Sequence, residues 1–178
     1  EGKITYEDGW VMHVTEDGNE PTALTFHWQI LAMGGEPAEG GAGFSNPDNL
    51  LADRNGNLWV VTDMTSSKDL VGNNSIWYIP TTGANAGKAY LFGIGPIKCE
   101  TTGSCFTTDE QTILSIQHPK EGHGIRRDRA IETQEVTITT AKGEKFQQIR
   151  FVPVGSTWVD KSNNAPPKPG VVAIQRYR

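Results

Sequence analysis

The chain has 178 residues, 36% of them hydrophobic and 21% charged, with a formal net charge of −5. This length suffices for one domain with a buried core. The acidic balance argues against a nucleic-acid partner, which requires clustered Lys and Arg, and no apolar run approaches the roughly 20 residues that span a bilayer.

The first part of the chain predicts a β-hairpin. The sequence begins with Glu1 rather than Met and has no signal-peptide pattern, which is typical of a processed chain or of a piece cut from something longer. Two segments rich in β-branched and aromatic residues, Trp10–Thr15 and Ala23–Gln29, follow, with an Asp17-Gly18 turn between them. Residues 34–43 are too rich in glycine for helix or strand and are expected to form a loop.

A regular series of four short strands comes next, each bounded by turn residues. The Asn-Gly pair in the turn Arg54–Asn57 is the strongest short hairpin signal. The four predicted strands are Asn49–Asp53, Leu58–Asp63, Ser75–Pro80 and Lys88–Ile94. One four-stranded antiparallel sheet of this kind is typical of a propeller blade.

A second unit is expected to begin at Gly103–Asp109, and its amino-acid sequence resembles that of the first unit. SNPDNLLADRNGNLWVVTD and SCFTTDEQTILSIQHP both run from a small residue through polar turns to an apolar strand, about fifty residues apart. The further predicted strands are Thr112–Gln117, Glu135–Thr140, Phe146–Pro153 and, after the Pro-rich stretch 166–169, Val171–Tyr177.

These patterns predict an all-β chain that forms a partial β-propeller of about three antiparallel four-stranded blades, at residues 1–45, 46–96 and 97–178. A closed propeller needs at least four blades, so the arrangement is expected to be open or completed by another chain. An immunoglobulin-like sandwich is the competing all-β interpretation. The long loops and the lack of a Cys…Trp…Cys pattern weaken it.

Several separated motifs, in order, resemble the C-terminal half of PhoX-type alkaline phosphatases. They are GWVMHVTEDG, TFHWQI, FSNPDNLLADRNGNLWVVTD and GPIKCETTGSCFTTDEQTILSIQHP, and the match runs from about Gly9 to Gln117. The resemblance implies a periplasmic or extracellular phosphate-ester hydrolase on a β-propeller, with calcium and iron near the central axis. Glu100 falls on a metal-binding glutamate of the family, and Asp48 and Asn49 fall on its PDN motif, whose side chains face the axis.

The departures from the family bear on activity. The N-terminal half of the family has no counterpart in this sequence. That half carries further metal ligands, an iron-binding cysteine and basic residues that bind phosphate. Lys120 stands where the family has glycine after QHP. We therefore expect a fragment of a metal-dependent phosphate-ester hydrolase that is inactive alone. The alternative is a non-catalytic propeller module that binds calcium or another protein.

Each candidate site residue also has a simpler interpretation. A loop glutamate such as Glu100 is often only solvated. The polar residues of the Pro47–Asn49 turn can serve only to stabilise the turn, with the Asp48 side chain accepting hydrogen bonds from backbone amides. Oxygen donors of this kind are nevertheless what calcium prefers. Lys98, two residues before Glu100, could contact phosphate as a point charge.

Other polar residues are assigned to structural roles. Asp53, Asn55 and Asn57 are expected to serve the hairpin turn, while Asp63 could face either way. His118 is expected to orient a strand end rather than bind a metal. His123 and the arginines near it form a basic patch that is expected to be solvated.

Cysteines, tryptophans and strand edges complete the expectations. Cys99 and Cys105 are interpreted as free thiols in preference to a disulfide, because a single pair of cysteines does not make a disulfide framework. No pair of His or Cys residues has the spacing that is usual for zinc ligands. The five tryptophans, Trp59 and Trp77 among them, are predicted to pack between blades. Because cut sheets expose unpaired edges, the chain is expected to self-associate.

Overall fold

A computed structural model describes residues 7–63, 73–108, 111–117, 119, 131–139, 142–153, 155–156, 158–159 and 167–175. Regular structure in these ranges is almost entirely β. The strands are β1 (Trp10–Glu16), β2 (Phe26–Met33), β3 (Pro47–Ala52), β4 (Leu58–Thr62), β5 (Ser75–Ile79), β6 (Tyr90–Ile94), β7 (Glu100–Phe106), β8 (Thr112–Gln117), β9 (Ile131–Thr139), β10 (Lys145–Pro153) and β11 (Gly170–Ile174). Two short 3-10 segments lie at Asp17–Asn19 and Pro37–Glu39. No helix in the described ranges has the length and apolar character to cross a membrane.

The strands pair as antiparallel sheets. The largest has four strands in sequence order, β3-β4-β5-β6, and the next has the order β11-β8-β7. Two-stranded sheets are formed by β1 with β2 and by β9 with β10. This is the open, antiparallel, all-β arrangement predicted, although only the central sheet has four strands in the described part of the chain.

The first hairpin differs in detail from the prediction. Strand β2 begins at Phe26, three residues later than expected, and continues to Met33. The connection before it is a structured loop, closed by a backbone hydrogen bond from the Asp17 amide to the Thr25 carbonyl and by a side-chain bond between the same two residues. Asp17-Gly18 is therefore the start of a longer loop and not a tight turn.

The predicted turn chemistry of the β3–β4 hairpin is confirmed. The Asp53 carboxylate accepts hydrogen bonds from the backbone amides of Asn55 and Asn57, at 2.8 and 2.9 Å, and from the Asn57 side chain. Gly56 takes the left-handed conformation that this turn needs. Burial raises the pKa of Asp53, but the bonds from Asn57 and Asn55 outweigh it and hold the pKa below its usual value. These oxygens serve the turn.

The inner strands of the central sheet, β4 and β5, are buried on both faces, which explains the continuous apolar run of β4. Neighbouring side chains of a strand point to opposite faces, and Val60 and Val61 accordingly enter different clusters. The first cluster contains Val11, Ala32, Phe44, Val60, Trp77 and Ile79. The second contains Val61, Ile76, Cys99, Leu114 and Ile116, and joins the central sheet to the three-stranded sheet.

The tryptophans are only partly the core residues that the sequence predicted. Trp77 is buried, and Trp59 packs edge-on against Tyr78, Phe92 and Phe106. Trp10 and Trp28, by contrast, are 42% and 61% exposed. They lie on the two-stranded β1–β2 sheet, where the described residues leave one apolar face open to solvent, so the prediction was wrong for this pair.

Candidate functional site

The Asp48–Asn49 pair lies in an irregularity of strand β3. Pro47 pairs with Thr62 and Leu50 pairs with Val60, so three steps along β3 face two steps along β4. An extra residue of this kind makes a β-bulge, which locally re-aims side chains. Both Asp48 and Asn49 are exposed, and the bulge lets Asn49 turn toward the neighbouring sheet.

Asn49 joins the central sheet to strand β7. Its Oδ1 atom accepts a hydrogen bond from Thr102 Oγ1 at 2.5 Å and another from the Gly103 backbone amide at 3.0 Å. Gly103 has a positive φ of 61° beside the bulge of β7. We call this set of contacts the Asn49 clasp. Both lone pairs of the amide oxygen are used in it.

Glu100 is the first residue of β7 and has a buried side chain. It is 9% exposed, pairs with Gln117 across the β7–β8 ladder, and accepts a hydrogen bond at Oε1 from Gln117 Nε2 at 3.1 Å. Glu100 and Thr102 lie in the regularly paired part of β7. Their side chains therefore leave the same face, roughly 7 Å apart along the strand. The Asn49 clasp thus lies on the Glu100 face of β7.

A buried polar network fixes the backbone around Glu100. Asn74 Nδ2 donates to the carbonyl oxygen of Cys99 at 2.8 Å, and Asn74 Oδ1 accepts from Thr62 Oγ1 at 3.3 Å. On the other side of Glu100, Thr101 Oγ1 lies 3.2 Å from the carbonyl oxygen of Thr62. All three polar side chains are buried, so each would be costly to leave unpaired.

Sequence reasoning missed Asn74, Thr101 and Gln117 as parts of this site. Asn74 lies in a run of turn-type residues before β5, where nothing in the local pattern separates a buried asparagine from a solvated one. Gln117 belongs to the IQHP motif, and its register opposite Glu100 could have been found by pairing the two predicted strands.

Lys98 lies in the connection between β6 and β7. Its φ of 55° is left-handed, which is uncommon for a residue other than glycine, and its side chain is half-buried. The next residue, Cys99, is buried, with its thiol 3.1 Å from Ser156 Oγ. Burial raises the pKa of the Cys99 thiol, and the Ser156 contact offsets this only in part. Cys99 and Cys105 are both free, as predicted.

The remaining candidates divide between backbone roles and undescribed segments. The Asp63 backbone amide donates to the Asn46 carbonyl oxygen at 3.0 Å, which ties the end of β4 to the residue before Pro47. The predictions for His118 and for the basic patch at His123 lie outside the described residues. Among the residues described, no group of three or more His, Cys, Asp or Glu side chains could hold a metal ion.

Comparisons with known proteins agree with this fold. The protein-family model described as Alkaline phosphatase PhoX matches residues 1–120, while no curated protein matches the chain. A solved structure, Pseudomonas fluorescens PhoX in complex with vanadate, a transition state analogue, is similar with a TM-score of 0.62 and 26% sequence identity.

The structural match covers 96% of this chain and 27% of the Pseudomonas fluorescens protein, so the chain spans about a quarter of that protein's length. The predicted fold class, a partial β-propeller, is confirmed by this likeness to a propeller protein. The family match extends over well more than half of the 178 residues. The chain therefore belongs to the alkaline phosphatase PhoX family.

Proposed function

We propose that this chain is part of a metal-dependent phosphate-ester hydrolase and is inactive alone. The observation that carries the proposal is the match of 96% of the chain to a PhoX structure that holds vanadate, named there as a transition-state analogue. The chain corresponds to 27% of that protein. We infer that a complete phosphoryl-transfer site includes residues from beyond this chain.

Glu100 is the residue that we propose as the principal metal ligand. Its carboxylate is buried and accepts a hydrogen bond from the Gln117 amide. Carboxylate and amide oxygens are the donors that a hard cation such as calcium prefers. We propose that Glu100, Asp48 and Asn49 supply oxygen donors of this kind as part of the coordination shell of such an ion.

Asp48, Asn49 and Lys98 are assigned supporting roles. Asp48 is the exposed carboxylate next to the Asn49 clasp and would supply a second charged ligand. Asn49 would approach the same ion only if its Oδ1 atom exchanged a clasp hydrogen bond for the metal. Lys98, two residues before Glu100, would contact a phosphate oxygen as a point charge.

The metals proposed, calcium and iron, come from the family resemblance. When bound, such ions polarise phosphoryl oxygens and stabilise the charge that develops during transfer. The part of this chain is to hold Glu100 at the start of β7 and to keep the β3 corner beside it. A phosphate ester is the proposed substrate of the intact enzyme.

Replacing Glu100 by glutamine is expected to abolish stabilisation of the chain by calcium. A ligand that binds only the folded state at a hundred times its Kd adds about 2.7 kcal/mol to the free energy of unfolding. We expect calcium chloride to raise the urea midpoint of the unchanged chain and to leave that of Glu100→Gln unmoved. Glu135→Gln is the matched control, because Glu135 is an exposed glutamate on β9.

The same samples test whether the site is incomplete. With calcium and iron supplied, hydrolysis of nitrophenyl phosphate by the 178-residue chain is expected to stay near the uncatalysed rate. Brisk turnover by the unchanged chain that is lost in Glu100→Gln would contradict the proposal that the active site is incomplete in this chain. It would leave intact the proposal that Glu100 is a metal ligand. Equal calcium stabilisation of Glu100→Gln and Glu135→Gln would contradict the ligand role.

We also propose that residues 1–45, 46–96 and 97–178 correspond to three blades in the C-terminal part of a larger propeller. The location proposed for the parent protein is the periplasm or the extracellular space, as the resemblance implies.

The isolated chain is expected to self-associate. Strand β6 is an edge of the central sheet and carries Tyr90, Leu91 and Ile94, all exposed, and the β1–β2 sheet exposes Met12 and Trp28. Unpaired edges with apolar side chains favour pairing between copies. Sedimentation velocity over a hundredfold concentration range is expected to show oligomers; a monomer throughout would count against the proposal.

A further inference from the structure

The β1–β2 sheet is apolar on the face that turns away from the core of this chain. Val11 of β1 and Ala32 of β2 lie opposite each other and enter the first core cluster. Neighbouring side chains of a strand point to opposite faces, so the residues on either side of Val11, and their cross-strand partners, leave the outward face. The exposed apolar side chains of that face, which we call the outer strip, are Trp10, Met12, Val14, Phe26, Trp28 and Met33.

Cross-strand pairing makes the outer strip continuous. Trp10 pairs with Met33 at the base of the hairpin, and Val14 pairs with Trp28 further along. Directly opposite residues of an antiparallel pair share a face, with Cβ atoms about 4.5–5.5 Å apart. The strip therefore runs along the length of both strands as one surface.

The other face of the same hairpin is polar where it extends past the core. His13 pairs with Gln29 and Thr15 pairs with His27, and all four side chains are exposed. The hairpin is thus amphipathic, with its apolar side turned away from the buried residues of its own chain. A contiguous exposed apolar surface of this kind is typical of an interaction site.

The size of the outer strip fits a weak but specific interface. An aromatic side chain buries about 150–250 Å² when it is fully covered, and Phe26 and Trp28 are each more than half exposed. The whole strip offers on the order of 500 Å² of apolar side chain, which is within the range of the largest patches on monomeric proteins. Two strips packed together would bury on the order of 1,000 Å², the lower limit for a specific interface.

The charges around the strip favour a second copy of this chain over a lipid surface. Amphipathic elements that bind membranes carry Lys and Arg on their polar face, whereas β1 and β2 contain neither residue. Glu16 pairs with Phe26 at the tip of the strip, and Glu20 is exposed in the loop beyond it. A two-fold axis with the hairpins running in opposite directions uses the same patch on both copies and keeps these acidic tips apart.

We propose that two copies of this chain form a two-fold dimer in which their outer strips pack face to face. The proposal rests on the self-association proposed above and names the surface that carries it. That surface is a face of the β1–β2 sheet and not the unpaired edge of β6.

A glutamate placed on either face of β1 tests this inference. In Val14→Glu the charge would be buried at the centre of the interface without a partner, so sedimentation velocity is expected to show dimerisation at least tenfold weaker than in the unchanged chain. Thr15→Glu is the matched control, because the neighbouring side chain is also exposed but leaves the polar face. It is expected to dimerise like the unchanged chain, and the urea midpoints of the two variants are expected to agree.

Variants on other strands separate the strip from the sheet edge. Trp28→Thr removes a strip residue of β2 and is also expected to weaken dimerisation at least tenfold. Ile94→Glu changes an exposed residue of the β6 edge and is expected to leave dimerisation unchanged. Association lost in Ile94→Glu but kept in Val14→Glu would overturn the proposal and leave self-association standing, and so would equal association of Val14→Glu and Thr15→Glu.

Flotation with phosphatidylcholine vesicles tests the other occupant of the strip. A chain that stays monomeric but binds these vesicles, with binding lost in Val14→Glu, would assign the strip to a lipid surface and overturn the dimer. A monomer that binds no vesicles would overturn the dimer and the proposed self-association together. Neither result bears on the calcium test of Glu100, which is read from urea midpoints.

Discussion

Replacing Phe44 by alanine is expected to lower the free energy of unfolding by about 3–5 kcal/mol. The Phe44 side chain is fully buried in the first core cluster, where its ring meets that of Trp77 edge-on at a centroid distance of 6.1 Å. Removing it takes away the burial of a large apolar side chain and leaves a cavity that the β1–β2 sheet and the central sheet can close only in part. Domains of this kind are stable by about 5–15 kcal/mol in total, so the loss is severe.

Phe26→Ala is the matched control for this prediction. Phe26 begins β2 and is 58% exposed, so the same truncation there is expected to cost less than about 1 kcal/mol. Urea denaturation followed by tryptophan fluorescence measures both variants. Equal costs for the two variants would show that the core does not depend on Phe44 as its burial indicates.

Local chemistry made much of the fold predictable. The Asp53 turn was predicted from residue types because every contact that decides it lies within a few residues. The run Leu58–Asp63 was predicted as a strand because it is apolar and bounded by turn residues. The observed strand β4, Leu58–Thr62, is buried on both faces, as that composition implies. Short-range signals of this kind need no knowledge of the rest of the molecule.

The arrangement of the candidate site could not be predicted in the same way. The Asn49 clasp joins residues more than fifty positions apart, and it depends on a bulge that residue types do not announce. The sequence around Asn74 predicts only a turn residue, and its hydrogen bond to the Cys99 carbonyl oxygen is seen only in the folded structure. The resemblance to the PhoX family indicated Glu100 and Asp48–Asn49 through separate motifs, but the contacts that relate them come only from tertiary structure.

The exposed tryptophans show a limit of composition. Trp10 and Trp28 have the residue type and strand pattern of core residues, yet they face solvent on the β1–β2 sheet. Whether a strand face is buried depends on what packs against it. A pattern of alternation identifies an apolar face but not its partner.

Replacing Gly34 by alanine is the second change expected to have a large effect, and its cause is close packing of backbone. A Cβ atom at Gly34 would lie 2.3 Å from the carbonyl oxygen of Asp8 and 2.9 Å from that of Phe44. Neither is the end of a flexible side chain, so the backbone itself must move. The Asp8 carbonyl oxygen also accepts the Asn46 amide at 2.9 Å, and Asn46 leads directly into the β3 bulge.

We expect Gly34→Ala to cost about 3 kcal/mol or more, the upper range for overpacking, and to weaken calcium stabilisation further by displacing the corner that carries Asp48. Gly56→Ala is the control, because Gly56 has a left-handed φ but open space around it and is expected to cost only about 1–2 kcal/mol. Urea midpoints with and without calcium chloride measure both effects. A Gly34→Ala chain as stable as Gly56→Ala would mean that the Asp8–Gly34–Phe44 contact can relax cheaply and does not determine the position of the Asp48 corner.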